Sequence, residues 1–208
     1  MDATFEALSE AELDRVAAVY APLTQAVRGL VDATVRTRAD DDVIQQARTT
    51  IEAVTRSLLS QRTRSSGVGY RVDGRPLPLS NAATGPCNPI APPLVVHRDE
   101  DGRYRSEFVL GAAYEGPPGL VHGGVCALVL DQMLGEAASE GMTKPLFTGT
   151  ITIRYLRGTP LGPLRAEAFI ERSEGVKAFA RGHLSDASGV AVEAEGVFVK
   201  PAWAREAE

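Results

Sequence analysis

One segment limits what this chain can fold into: GPPGLVHGGVCALVLDQMLGEAA, residues 116–138. Val125, Leu128, Val129, Leu130, Met133, Leu134 and Ala137 make a predicted helix over 122–141 apolar almost all round, the pattern of a helix enclosed by other elements. Its surroundings read as strands. LVVHRD and RYRSEFVL flank the turn Asp99-Glu100-Asp101-Gly102, and FTGTITIRYL, LRAEAFIER, VKAFARGHLS and GVAVEAEGVFVK follow at short spacing, separated by turn residues. Ile151, Ile153 and Tyr155 alternate with Thr150, Thr152 and Arg154, so one face of that strand is predicted to be covered. Two strands, a helix and four strands imply an α+β domain, a mainly antiparallel sheet packed on one central helix.

The remainder divides by texture. Residues 1–65 read as a helical extension: Ser9 and Glu12 fit a capping box, Leu13, Val16, Ala17 and Tyr20 share a face, and Pro22 is expected to begin a second helix. Leu23, Val27, Leu30, Val31 and Val35 mark that second helix, and Asp40 or Asp41 can cap a third with Ile44, Ala47, Ile51, Val54 and Leu58 spaced three and four apart. This arm suggests packing or dimerisation rather than chemistry. Residues 66–93 are rich in Gly, Pro, Ser and Asn and form a connecting segment, either a linker or a loop over a substrate site. The sheet domain then runs over 94–201, with a tail at 202–208.

A net charge of −5 speaks against a general nucleic-acid binder, no apolar run is long enough for a membrane span, and the opening MDATFEALSEAELD is acidic where a signal peptide would be basic. A cytoplasmic protein is expected. Cys87 and Cys126 lie in no metal pattern and are expected as thiols, and His97, His122 and His183 are scattered. No metal or cofactor is implied.

Within the central segment, Gly123 and Gly124 follow His122 at the helix start. They let a ligand approach N–H groups that the first turn leaves unpaired, and those donors suit a carbonyl becoming an oxyanion; a plain turn would use the same residues. Asp131 lies inside the apolar run, where a carboxylate must be paired locally or be functional. Nine residues separate His122 from Asp131, about 13–14 Å of helical rise and half a turn of residual rotation. One helix cannot bring both features to one substrate atom. Two antiparallel copies can, across an isologous dimer interface.

GPPGLVHGGVCALVLDQMLG resembles the His-Gly-Gly…Asp segment of hotdog-fold acyl-CoA thioesterases of the phenylacetate-pathway (PaaI) type. The strand TGTITIRYLRG supports the resemblance, which covers roughly 89–201. It implies the hotdog fold, an antiparallel sheet wrapped around one helix. It also implies hydrolysis of acyl-CoA to free acid and CoA in a homodimer, or a homotetramer, with shared sites. Carried over by position, Asp131 would be nucleophile or general base, the Gly123 N–H would polarise the thioester carbonyl, His122 would shape the turn, and Thr148 would orient the water or the carboxylate. Thr148 falls on the polar parity of its strand, so its facing the site rests on resemblance alone. Gly124 would adjoin the substrate. Relatives carry an Asn before the His-Gly-Gly, whereas this chain has Gly116, Pro117 and Pro118, leaving Glu115 as a substitute or a solvated loop residue.

CoA phosphates need cations, and Arg154, Arg157, Arg165, Arg172, Lys177 and Arg181 lie in the strand half; Arg157, beside the Gly158-Thr159-Pro160 turn, is the first choice and Arg154 the second. Two alternatives stand beside hydrolysis. A non-catalytic acyl-CoA-binding or regulatory hotdog domain would gain little from Asp131, and a hydratase or dehydratase would use a different Asp/His arrangement.

Overall fold

The computed structural model describes residues 4–60, 68–72 and 75–205. The proposed boundary near residue 65 lies outside them. The order is β1 (Thr4–Ala7), α1 (Glu10–Arg15), α2 (Ala21–Arg36), α3 (Asp41–Leu59), β2 (Val68–Val72), β3 (Arg75–Leu77), β4 (His97–Arg98), β5 (Tyr104–Leu110), α4 (Gly123–Ala138), β6 (Phe147–Tyr155), β7 (Gly162–Glu174), β8 (Lys177–Asp186), β9 (Gly189–Val199) and α5 (Ala202–Arg205). Six strands form an antiparallel sheet in the order β4-β5-β7-β8-β9-β6, so β6 crosses to the far edge and leaves one side of itself unpaired. This is the hotdog architecture.

Helix α4 lies across one face of that sheet, against β7, β8 and β9. The sheet presents small residues there, Ala166, Ala168, Ala178, Ala180 and Ala194, so the bulky Leu130, Met133 and Leu134 of α4 settle close and are fully buried. The helix ends at Ser139, whose hydroxyl donates to Gly135 O (2.6 Å) and accepts from Met142 N–H (2.9 Å). Both cysteines are free thiols, Cys126 buried and Cys87 half-buried.

Several sequence expectations change in detail. The Ser9–Glu12 capping box is present. Pro22 does sit in the first turn of α2, but the chain never leaves helical form: Val16–Tyr20 is a π-turn, and the Ala21 N–H reaches back five residues to Val16 O. The wider turn absorbs the missing Pro22 donor without a break. Asp40 is the N-cap of α3, although its side chain makes no capping bond. LVVHRD shrinks to a two-residue strand, because the Val95 N–H is taken by Ser106 Oγ (3.2 Å) rather than by a neighbouring backbone. The connecting segment contains β2 and β3, and β1 pairs parallel to β2 in a small three-stranded sheet that the hydrophobic pattern did not reveal. The proposed tail begins with the short helix α5.

Candidate active site

The start of α4 is built by its own sequence. His122 is the N-cap, and its Nδ1 accepts from the Gly124 N–H at 3.0 Å. The His122 N–H in turn donates to Tyr114 O (2.9 Å), tying the helix start to the loop before it. Gly124 therefore spends its donor inside the turn, while the Gly123 N–H has no acceptor among the described residues. Tyr155 Oη donates to Gly123 O at 2.8 Å, and a Cβ on Gly123 would lie 3.3 Å from that oxygen. The tyrosine on β6 thus braces the glycine turn. Alternation grouped Tyr155 with Ile151 and Ile153 on a covered face, but it stays exposed; its contact depends on β6 crossing the helix start, which no local pattern reports.

Asp131 lies eight residues beyond Gly123, about 12 Å along α4. It is half-buried, not enclosed as the apolar run suggested, because one flank of α4 stays uncovered in the single chain. Thr148 Oγ1 donates to Asp131 Oδ1 at 3.0 Å. Alternation alone would put Thr148 with Thr150 and Thr152 on the face away from the helix. A bulge at Gly149 reverses this: Thr148 pairs with Phe198 and Thr150 with Val197, so Gly149 is skipped and the parity flips. Thr148 consequently shares the helix side with Ile151 and Ile153, which pack on the core.

The loop before the helix has no room for a side chain at Gly116, six residues before His122. A Cβ at Gly116 would sit 2.7 Å from His122 Cα, so the backbone itself occupies that space. Glu115 Oε1 accepts from the Gly119 N–H at 2.6 Å and closes the Pro117–Gly119 turn.

The structure also engages the candidate phosphate ligands. Arg157 forms a fork with Asp186 at 2.7 and 2.8 Å and donates to Gly189 O (2.6 Å), which holds the β8–β9 turn; this pairing keeps the Asp186 carboxyl below the ordinary range. Arg154 pairs with Glu193 across β6 and β9. Arg165, Arg172 and Arg181 pair with Glu167, Glu171, Glu174 and Glu195. One carboxylate escaped the sequence reading. Glu136 is half-buried on α4, where burial raises its pKa against an opposing hydrogen bond from Gln132 Nε2 (2.9 Å). Its spacing alone gives no signal.

Two cavities, of about 450 and 350 Å³, lie elsewhere, the first between α2 and the end of β5 and the second on the outer face of β6, β8 and β9. Neither is lined by Asp131, Thr148 or Gly123. Among the described residues no three His, Cys, Asp or Glu side chains are grouped to hold a metal ion, and no helix is long and apolar enough to cross a membrane.

The sequence profile of the thioesterase superfamily matches residues 118–200, which contain the His-Gly-Gly turn, Asp131 and Thr148. Acyl-coenzyme A thioesterase THEM4 of Xenopus laevis is 34% identical over 98 residues, 45% of this chain and 43% of that protein. The chain thus matches less than half the length of this curated relative. A crystal structure of a thioesterase superfamily protein is 33% identical, with a TM-score of 0.77, over 88% of this chain and 91% of that one. That share is too large for the sheet domain alone and takes in much of the N-terminal part.

Proposed function

Because the chain belongs to the thioesterase superfamily, we propose that it hydrolyses acyl-CoA thioesters to a carboxylic acid and CoA. The observation that carries this reading is the Asp131–Thr148 pair: a bulged strand turns a hydroxyl onto a carboxylate that stays half-open on the surface of α4.

The site is incomplete in one copy. Asp131 and the free Gly123 N–H stand about 12 Å apart along one helix, and neither of the two cavities described above is lined by either residue. The outer edge of β6 is unpaired along nine residues, FTGTITIRY, with neither proline nor lysine to discourage pairing. A second copy on that edge would set the Asp131 of one subunit against the Gly123 of the other. We assign the Gly123 N–H to the thioester oxygen, where the helix dipole adds to it as negative charge develops. Asp131 attacks the carbonyl carbon directly or takes a proton from an attacking water; Thr148 fixes the carboxylate by its hydrogen bond. Collapse of the tetrahedral intermediate breaks the C–S bond, and CoA leaves as a thiolate that then takes a proton. Water attack gives the carboxylic acid at once, whereas direct attack leaves an acyl–Asp131 anhydride that a water then hydrolyses to the acid and the free carboxylate. His122 acts through the shape of the turn, with its Nδ1 used inside it.

Incubation with a panel of acyl-CoAs and a thiol reagent tests the reading. Thiol release proportional to protein supports it; binding without release leaves a non-catalytic acyl-CoA module. The chain length giving the highest kcat/KM identifies the acyl class.

A further inference from the structure

Helix α3 is nineteen residues long, every one exposed, and it forms no packed interface with any other described element. A solitary helix of this length with Thr, Val and Ile throughout is marginal in water. Its apolar residues Ile44, Ala47, Ile51, Val54 and Leu58 follow strict three-and-four spacing, the seam of a coiled coil rather than the broader stripe of a helix lying on a sheet. Helix α2 carries a second seam. It docks on the body through Thr24, Val27 and Val31, while Leu23, Ala26, Leu30 and Ala33, preceded four residues earlier by Val19 in the π-turn, repeat at three-and-four spacing on a face about a third of a turn away and all lie exposed. The large residues of the two seams are between 37% and 55% exposed, too open for any packed neighbour.

The two seams match. Each spans fifteen residues, about 21 Å from first to last. In antiparallel register, Ile44 meets Ala33, Ala47 meets Leu30, Ile51 meets Ala26, Val54 meets Leu23 and Leu58 meets Val19. Every alanine faces a large side chain, the interdigitation that fills a helix interface without voids. The same register sets the acidic first turn of α3, Asp41 and Asp42, beside Arg36 at the end of α2. Within one chain the pairing is not made: the connection leaves α2 through an extended Thr37 (ψ 144°), enters α3 through an extended Asp40 (ψ 155°), and carries α3 clear of α2.

We propose that the occupant of each seam is a second copy of this chain, with the α3 of one copy packed antiparallel on the α2 of the other. A twofold axis satisfies both pairs at once, an exchange of identical elements that leaves no seam open. This surface is separate from the β6 edge and does not depend on the reaction assigned above.

Two variants in a Cys87→Ser background that keeps only the buried Cys126, Ala26→Cys and Ile51→Cys, decide the matter when mixed, co-refolded and mildly oxidised. The exchanged arm predicts a disulfide between the two variants, read as a band at twice the 22.1 kDa chain mass on a non-reducing gel. Adding Leu30→Asp to the Ala26→Cys chain should cut its yield at least several-fold. Thr49→Cys, on the opposite face of α3, should give no such band with Ala26→Cys. An intrachain bond in the Ala26→Cys/Ile51→Cys double variant, with none between chains, would show that the arm closes on itself and overturn the proposal. So would absence of any bond, or equal crosslinking from Thr49→Cys.

Discussion

At the scale of single residues, the proposed reaction gives the charge of Asp131 and the hydroxyl of Thr148 separate tasks, and substitution can tell them apart. Asp131→Asn keeps size and can still accept from Thr148, but it cannot attack or take a proton. Turnover by thiol release should fall by about 10²–10⁴-fold with KM little changed; wild-type kcat would end the assignment. Thr148 holds one carboxylate oxygen at 3.0 Å, so Thr148→Ala should cost on the order of 10–100-fold and Thr148→Ser much less. Equal, small losses from both would reduce Thr148 to a packing residue. The identity of Asp131 and the glycine turn was legible in the sequence because local chemistry singles them out. The side on which Thr148 faces was not, because one skipped residue at Gly149 changes the parity of everything before it.

Elements impose constraints that no residue shows alone. Strand β8 and strand β9 are joined by a turn that Arg157 clamps through Asp186 and Gly189 O. Arg157→Ala should therefore lower the thermal midpoint while leaving KM for acyl-CoA unchanged. A KM that rises several-fold with Tm intact would return Arg157 to the phosphate ligands. On α4, burial raises the Glu136 pKa above that of the unfolded chain. The folded form then favours the protonated acid, so this group's contribution to stability is most favourable below the unfolded pKa and declines as pH rises through the folded one. Glu136→Gln should raise Tm at pH 7–8 and leave it unchanged well below about pH 4, where wild type is protonated in both states. A gain of equal size at both pH values would mean that the charge is not the cause. The small residues of β7, β8 and β9 explain why so apolar a helix fits here at all.

For the whole molecule, shared sites make a prediction that isolated sites cannot. Asp131→Asn removes the charge from both sites of a homodimer. Gly123→Val crowds the donor turn in both, since even a Cβ there would come within 3.3 Å of Tyr155 Oη. In a heterodimer of the two variants, one shared site carries both lesions and the other none. Activity should recover to about half of wild type per heterodimer. Differentially tagged, purified heterodimers that stay inactive would refute the shared arrangement even if hydrolysis by the wild type is established.

The sequence by itself determined the element order from Leu94 to Val199, the apolar central helix, the glycine-rich helix start and the aspartate two turns on. Hydrophobic periodicity, turn residues and capping chemistry act within a few positions of one another, and a linear reading reaches that far. Only the tertiary structure decided which partner each polar group takes. Arg157 goes to Asp186, Glu115 to the Gly119 N–H and Tyr155 to the carbonyl of Gly123. It also decided that Gly116 has no space for a side chain and that one flank of α4 is open. Those outcomes depend on strand register and on the crossing of β6 to the sheet edge. Register is set by cross-strand pairing between residues far apart in the chain, and a single bulge is enough to redirect a side chain from solvent to the site.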